Sequence, residues 1–132
     1  MDERGSVAPF LIVLLAAGVA ALGLAVDLGR FAAQSREAAH AADAGAEAGA
    51  AVLDVDAAYA GRLQVDPEPA ALVAADAAHR FRPRQGRSVD VEADHRSVCV
   101  TVRQQVTTGL LRVFGVAAWT VTARGCAIPA SG

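Results

Sequence analysis

The sequence has few of the residues that usually build a large core. Its 132 residues include only four Phe, one Trp, one Tyr and one Met, and much of the 54% hydrophobic content is alanine. Lysine is absent, so all 12 basic residues are arginine, and the net charge is only −2. A net charge this small gives no electrostatic reason to expect nucleic acid as a partner.

The sequence also lacks the motifs that would indicate an active site or a metal site. There are two cysteines, where a structural zinc site would normally need four ligands, and the three histidines are scattered along the chain. No serine lies in a Gly-x-Ser-x-Gly context, and no glycine-rich phosphate loop is present. The segment Asp54 to Asp56 is too short for a calcium loop. We therefore expect no enzyme, no cofactor, no metal and no small-molecule substrate.

The most prominent feature is a 22-residue stretch without an ionisable side chain, from Gly5 to Val26. Its last 20 residues, as a helix rising about 1.5 Å per residue, would span roughly 30 Å, the thickness of a hydrocarbon core. The stretch predicts an N-terminal membrane anchor in residues 1–26. A soluble buried helix is not expected, because the remaining chain is too small to cover it on all sides.

A cleaved signal peptide is the alternative to a retained anchor. The residues Gly23-Leu24-Ala25 form a small-x-small site of the kind that signal peptidase recognises. Against cleavage, the preceding segment Met-Asp-Glu-Arg is not net basic, and the apolar run is longer than the usual core of a signal peptide. A short N-terminal tail favours a cytoplasmic N-terminus and an exported C-terminal part, and two cysteines in that part suit an oxidising compartment.

Beyond the apolar stretch, the helical pattern continues to about Leu53. Small residues recur there at alternating spacings of four and three, which forms a heptad seam, while Arg36, Glu37 and other charged residues fall outside it. Because small residues bury little area, such a seam needs a partner, either the chain's own C-terminal domain or a neighbouring chain. The predicted seam consists of Phe31, Ser35, Ala38, Ala42, Gly45, Gly49 and Val52.

The last half of the chain predicts a small exported domain, residues 66–132, joined to the anchor by residues 27–65. Asp66 and Pro67 begin a second helix, which ends at Pro83. Valine alternation then indicates strands around residues 89–92, 98–103 and 119–124. We expect the apolar segment Leu110 to Phe114 to form a short helix or turn that plugs the sheet. The predicted fold is α+β, with a long N-terminal helix, a second helix and a three-stranded antiparallel sheet.

The two cysteines fall on the polar faces of the predicted strands. A disulfide between Cys99 and Cys126 would close a loop of about 28 residues and stabilise the domain by roughly 3–4 kcal/mol. Two free thiols are the alternative. The densest basic cluster, Arg80, Arg82, Arg84 and Arg87, is interpreted either as a solvated loop or as a surface for anionic headgroups or an acidic partner.

The chain has Arg4-Gly5-Ser6-Val7 before the apolar span, Val26-Asp27-Leu28-Gly29-Arg30 after it, and an alanine-rich helix with Ala41-Ala42-Asp43-Ala44. In these stretches, and in its later valine and threonine strands, it resembles the TadE/TadG-like pilus-assembly proteins. The resemblance implies a single-pass protein of the bacterial cytoplasmic membrane, with an accessory or minor pilin-like role among other pilus or secretion-apparatus subunits.

The resemblance also bears on processing. Prepilin-like members have a glutamate five residues after the glycine of the cleavage site, and the corresponding position here, counted from Gly5, is Phe10. The resemblance therefore implies a TadG-like member that keeps its anchor.

Overall fold

The computed structural model describes residues 7–130, and its elements follow the predicted order. The α+β class, with a long N-terminal helix and a three-stranded antiparallel sheet, is confirmed. The helices are α1 (Val7–Ala50), α2 (Val55–Tyr59) and α3 (Pro67–Arg80); the strands are β1 (Ser88–Ala93), β2 (Val98–Thr107) and β3 (Ala118–Ala127); a 3-10 turn (Leu111–Phe114) lies between β2 and β3.

The sheet is built around β2, which pairs antiparallel with β1 on one side and with β3 on the other. Alternate side chains of β2 are buried, beginning with Val98, Val100 and Val102, while the side chains between them are half-buried or exposed. This period of two is the valine alternation seen in the sequence, and it shows that one face of the sheet is covered and the other faces outward.

The covered face packs against the second half of α1 and against α3. The core is made almost entirely of alanine and valine, and its largest fully buried side chains are Val65, Val98, Val100 and Val102. Small side chains allow the helix backbones to lie close to the sheet, so packing is dense although each residue contributes little apolar area.

The first half of α1 projects away from this core. Residues 7–26 are exposed except for Gly23, which is half-buried, and they carry a dense run of large apolar side chains such as Phe10, Ile12 and Leu15. This part of α1 is long and apolar enough to cross a membrane, and its most apolar 18-residue window has no buried residue. A continuous 44-residue helix therefore joins an unpacked apolar segment to a packed domain.

Several boundaries differ from the sequence expectations. α1 ends at Ala50 and not near Leu53, because Leu53 forms an isolated antiparallel bridge with Val65. The side chain of Asp66 does not cap α3, whereas Asp54 caps α2 by accepting hydrogen bonds from two backbone N–H groups. The segment Leu111–Phe114 does not plug the sheet: none of its residues is buried.

Candidate functional site

The candidate site lies where α1 leaves the domain, and its central group is the carboxylate of Asp27. This side chain is only 7% exposed, although it directly follows the apolar segment. Its Oδ1 accepts a hydrogen bond from Gly109 N at 2.9 Å, and its Oδ2 accepts from Leu110 N at 2.9 Å and Leu111 N at 3.0 Å. One carboxylate thus fastens the β2–β3 loop to the helix through three backbone donors, an arrangement that favours its charged form.

The β2–β3 loop, residues 108–117, is shaped to present these donors. A Cβ added at Gly109 would lie 3.0 Å from Asp27 Oδ1, so a glycine permits the close approach. The turn closes at Gly115, whose φ of 88° favours glycine. Thr108 N donates to Ala117 O at 3.2 Å, which extends the pairing of the two strands to the base of the loop.

Apolar side chains of the loop lie along the projecting half of α1. Leu110 packs on Gly23 so closely that a Cβ at Gly23 would lie 2.6 Å from Leu110 Cδ2. Val113 and Phe114 are 81% and 74% exposed. Together with helix residues they border a shallow groove of about 420 Å³, lined by Leu15, Ala16, Val19, Ala20, Leu110, Val113 and Phe114.

A second charged cluster attaches α1 to the domain at Glu37, farther along the helix from the apolar segment than Asp27. Glu37, 8% exposed, pairs with Arg84 (Nε to Oε1, 2.6 Å) and with Arg87 (Nη2 to Oε1, 3.1 Å). Arg87 also donates to Gln104 Oε1 at 3.0 Å and to Ala78 O at 3.1 Å. The cluster therefore connects α1, α3, the following loop and β2.

The pKa of Glu37 is lowered from its usual value, first by the hydrogen bond from Arg84 and then by the positive charges of Arg84 and Arg87. Burial acts in the opposite direction and is outweighed. Glu37, which falls outside the predicted seam, is nevertheless buried, and Arg87 does not belong to a solvated loop, since its side chain is only 1% exposed. The acidic partner of this arginine is in the same chain.

Cys99 and Cys126 are direct cross-strand neighbours in β2 and β3, and the structure joins them in a disulfide. Cys99 is half-buried and Cys126 exposed, on the outward face of the sheet. The bridge closes the β2–β3 segment at the end of the sheet opposite the β2–β3 loop. It therefore fixes the two strands that carry the loop.

The seam residues lie on the side of α1 that faces α3 and the sheet. A Cβ at Gly45 would lie 2.8 Å from Ala74 O, and one at Gly49 would lie 2.9 Å from both Ala74 Cβ and Val98 Cγ1. The seam is thus occupied by the chain's own domain. Of the other predicted members, Ala38 and Ala42 are fully buried, Ser35 is half-buried, Phe31 packs edge-to-face on Trp119, and Val52 packs against the core beyond the helix end.

Sequence reasoning missed Asp27, Glu37 and Arg87 as structural groups. The signals for Asp27 were its position as the first charge after the apolar segment and its place in the motif Val26-Asp27-Leu28-Gly29-Arg30. The signal for Glu37 was its place one residue before the seam residue Ala38. Within residues 7–130, no group of three or more His, Cys, Asp or Glu side chains is arranged to hold a metal ion.

Comparison of the chain with protein-family models, curated proteins and solved structures finds no match.

Proposed function

We propose that this chain is a single-pass accessory subunit of a TadE/TadG-type pilus-assembly or secretion apparatus in the bacterial cytoplasmic membrane. In this proposal α1 is retained as the anchor, the N-terminus is cytoplasmic and the small α+β domain is extracytoplasmic. The role is that of a minor pilin-like, non-catalytic component that contacts other subunits of the apparatus.

The observation that carries the proposal is the division of α1 into two halves with opposite surroundings. The half with the large apolar side chains is exposed apart from its contact with the β2–β3 loop, whereas the half with small and charged residues is embedded in the domain. An exposed apolar surface of this length would aggregate in water, and a bilayer is the environment that satisfies it.

The clusters at Asp27 and Glu37 support an assembly role for the domain. Both hold α1 at a fixed position against the sheet, so the domain is a rigid extension of the anchor and not a freely tethered module. The most buried charged side chains, Asp27, Glu37 and Arg87, are all engaged in these structural contacts. The disulfide supports placement of the domain in an oxidising compartment.

A second candidate is a secreted binding module released from a cleaved signal peptide. It is favoured by the small-x-small site Gly23-Leu24-Ala25 and by the fact that the buried core residues all follow Ala25. Against it, the site lies inside a continuous helix, and Gly23 is in contact with Leu110, so cleavage would cut through a packed segment.

The experiment that separates the two is intact mass spectrometry of the chain expressed with its own N-terminus, combined with extraction of membranes at alkaline pH. Retention of the full anchor in the membrane pellet is expected. A mature start at Leu24 or Val26 would refute the anchor and favour the secreted module, whereas a start at Ser6 would indicate prepilin-type processing.

The assembly role needs its own test in the bacterium that encodes the chain. Deletion of the gene is expected to abolish surface pili or secretion, with restoration by the full-length chain but not by a domain that carries an unrelated anchor. Neighbouring genes for a secretion ATPase and pseudopilin-like proteins would support the assignment. An unchanged surface after deletion would argue against it.

A further inference from the structure

We propose that the β2–β3 loop, residues 108–117, is a second membrane contact whose apolar tip inserts among phospholipid acyl chains beside α1. This inference rests on the proposed anchoring of α1, because the depth of the loop is set by its attachment to that helix.

The attachment at Asp27 fixes where the loop lies along the helix. The backbone of Gly109 to Leu111 is at the level of Asp27, the first charged residue after the apolar segment. The side chain of Leu110 reaches Gly23, four residues deeper, which is about 6 Å along a helix. Val113 and Phe114 border a groove whose helix residues lie 7 to 12 positions before Asp27, or roughly 10–18 Å. If α1 spans a bilayer, the tip lies within its apolar layer.

Most backbone N–H groups of the loop are paired within the protein, which is what hydrocarbon favours for irregular structure. Backbone polar groups in lipid must be satisfied within the protein, since no water is present to pair with them. Here three N–H groups donate to Asp27, and four more donate to carbonyls of the loop itself: those of Thr108, Val113, Gly115 and Val116. The Thr108 hydroxyl donates to Val116 O as well.

The side chains are distributed as an inserted loop requires. Val113 and Phe114 at the tip are largely exposed in the protein, and the one charged residue of the loop, Arg112, directly follows Leu111 at the level of Asp27. From that position a long arginine side chain can extend to the headgroups while its stem lies in the apolar layer. One helical turn beyond Asp27, Phe31 and Trp119 pack edge-to-face with ring centroids 5.5 Å apart. In a membrane-spanning α1 this pair would lie at the interface, where aromatic residues are enriched.

The same groove favours lipid over a protein partner as its occupant. Its lining is apolar side chain throughout, without a hydrogen-bonding side chain to specify a partner, and it is continuous with the exposed apolar surface around α1. Arg30 and Arg112 flank the boundary at Asp27, where basic side chains attract anionic headgroups. On the N-terminal side of Asp27 along α1 the surface therefore suits acyl chains, and at the level of Asp27 it suits headgroups.

The test uses the full chain reconstituted in vesicles of phosphatidylethanolamine and phosphatidylglycerol, with and without brominated acyl chains that quench nearby tryptophan. Three single-tryptophan proteins are compared in a Trp119→Phe background: Phe114→Trp in the loop, Leu14→Trp in the anchor and Tyr59→Trp on α2. Tyr59 is 89% exposed and lies in the domain, away from the loop. An intact disulfide and an unchanged circular dichroism spectrum serve as the folding check.

The expected result is strong quenching of Leu14→Trp, quenching of Phe114→Trp to at least about half that extent, and little effect on Tyr59→Trp. Quenching at position 14 but not at 114 would overturn the inserted loop while leaving the anchor intact, and would leave a protein partner as the occupant of the groove. Absence of quenching at both positions would overturn the anchor together with the loop. Quenching of all three would show non-specific adsorption and would also overturn the proposal.

A second measurement avoids the Trp119 substitution. A photoreactive benzoylphenylalanine replaces Phe114 in the otherwise unchanged chain, and the same residue replaces Tyr59 as the control. Lipid adducts detected by mass spectrometry at position 114 alone support insertion, and equal or absent adducts at the two positions contradict it.

Discussion

The two halves of α1 belong to one helix, yet they follow opposite rules. Residues 7–26 carry Leu, Ile, Val and Phe side chains and are exposed, whereas residues 37–50 are mostly alanine, glycine and charged residues, and most of those on one side are buried. Within α1, burial therefore follows the close approach of backbones that small residues allow. The large apolar side chains of this helix lie mostly on a surface that the domain does not cover.

The two carboxylates at the ends of this transition also differ. Asp27 accepts hydrogen bonds from uncharged backbone N–H groups of a loop, while Glu37 is neutralised by two arginines. Both positions attach α1 to the C-terminal region, the first through the β2–β3 loop and the second through the loop after α3. Two attachments about ten residues apart hold the helix direction as well as its position.

The largest effect on the buried half is expected from Arg87→Met. The change removes the fully buried partner of Glu37 and leaves Gln104 Oε1 and Ala78 O without that donor, so a cost of about 3–5 kcal/mol is expected. Thermal unfolding of the full chain in detergent, followed by circular dichroism, measures it. The control is Arg103→Met, whose pair with Asp90 is exposed and should contribute less than about 1 kcal/mol. Equal shifts in midpoint would show that burial of Arg87 is not what matters.

Glycine substitutions within α1 compare its two halves more directly, although the expected destabilisation is smaller. Gly49→Leu forces a side chain into Ala74 and Val98 and should destabilise by about 1–3 kcal/mol or more, whereas Gly18 has nothing within 4 Å of an added Cβ. Gly18→Leu should therefore leave the unfolding midpoint unchanged. Glu47→Gln, an exposed change in the same half, should also have little effect.

Gly45→Leu repeats this test one turn away, where the added side chain would meet Ala74 O and Val100. If Gly18→Leu proved as destabilising as these two changes, the projecting half would be packed in the native protein and the division of α1 would be wrong.

Asp27→Asn is expected to have a local effect of roughly 1–2 kcal/mol. The substitution preserves shape but removes the charge and one acceptor oxygen from the three donors of Gly109 to Leu111. Hydrogen exchange should show faster exchange of these loop amides with little change in the β1–β2 pairs. Uniform acceleration across the sheet would mean that Asp27 supports the whole domain and not the loop alone.

The strands, the second helix and the cross-strand cysteines could be predicted because each depends on local period. Valines at alternate positions define the covered face of β2, and the same count places Cys99 on the other face. The surroundings of Glu37, Arg87 and Leu110 could not be predicted in this way. Each meets residues about 50 to 90 positions away in the chain, and no pattern within one element determines those contacts.

The charged residues are a particular case of this limit. The heptad seam separates small residues from charged ones, and Glu37 falls outside the seam. The loop after α3 nevertheless lies against α1 at Glu37 and supplies Arg84 as its partner. A buried charge becomes acceptable only when its partner is supplied, and here the partners come from residues 84 and 87. Without the tertiary arrangement, the polar face of α1 gives no reason to single out Glu37.

The smallest expected effect is the acid dependence of the unfolding midpoint, which tests the ion pairs of Glu37. Because the pKa of Glu37 is lowered in the folded protein, its contribution is fully present above its ordinary pKa of 4.5 and is lost as the pH falls through the lower folded value. The unfolding midpoint should therefore fall below about pH 4.5 more steeply in the unchanged chain than in Glu37→Gln. The pKa of Asp27 and that of Asp94, which accepts hydrogen bonds from the backbone N–H groups of Arg96 and Ser97, are lowered as well. Both aspartates are present in both proteins, so their contributions cancel in the difference. Parallel pH profiles would mean that the arginine pairs do not favour the charged carboxylate of Glu37, and that they do not stabilise the attachment of α1 at this position.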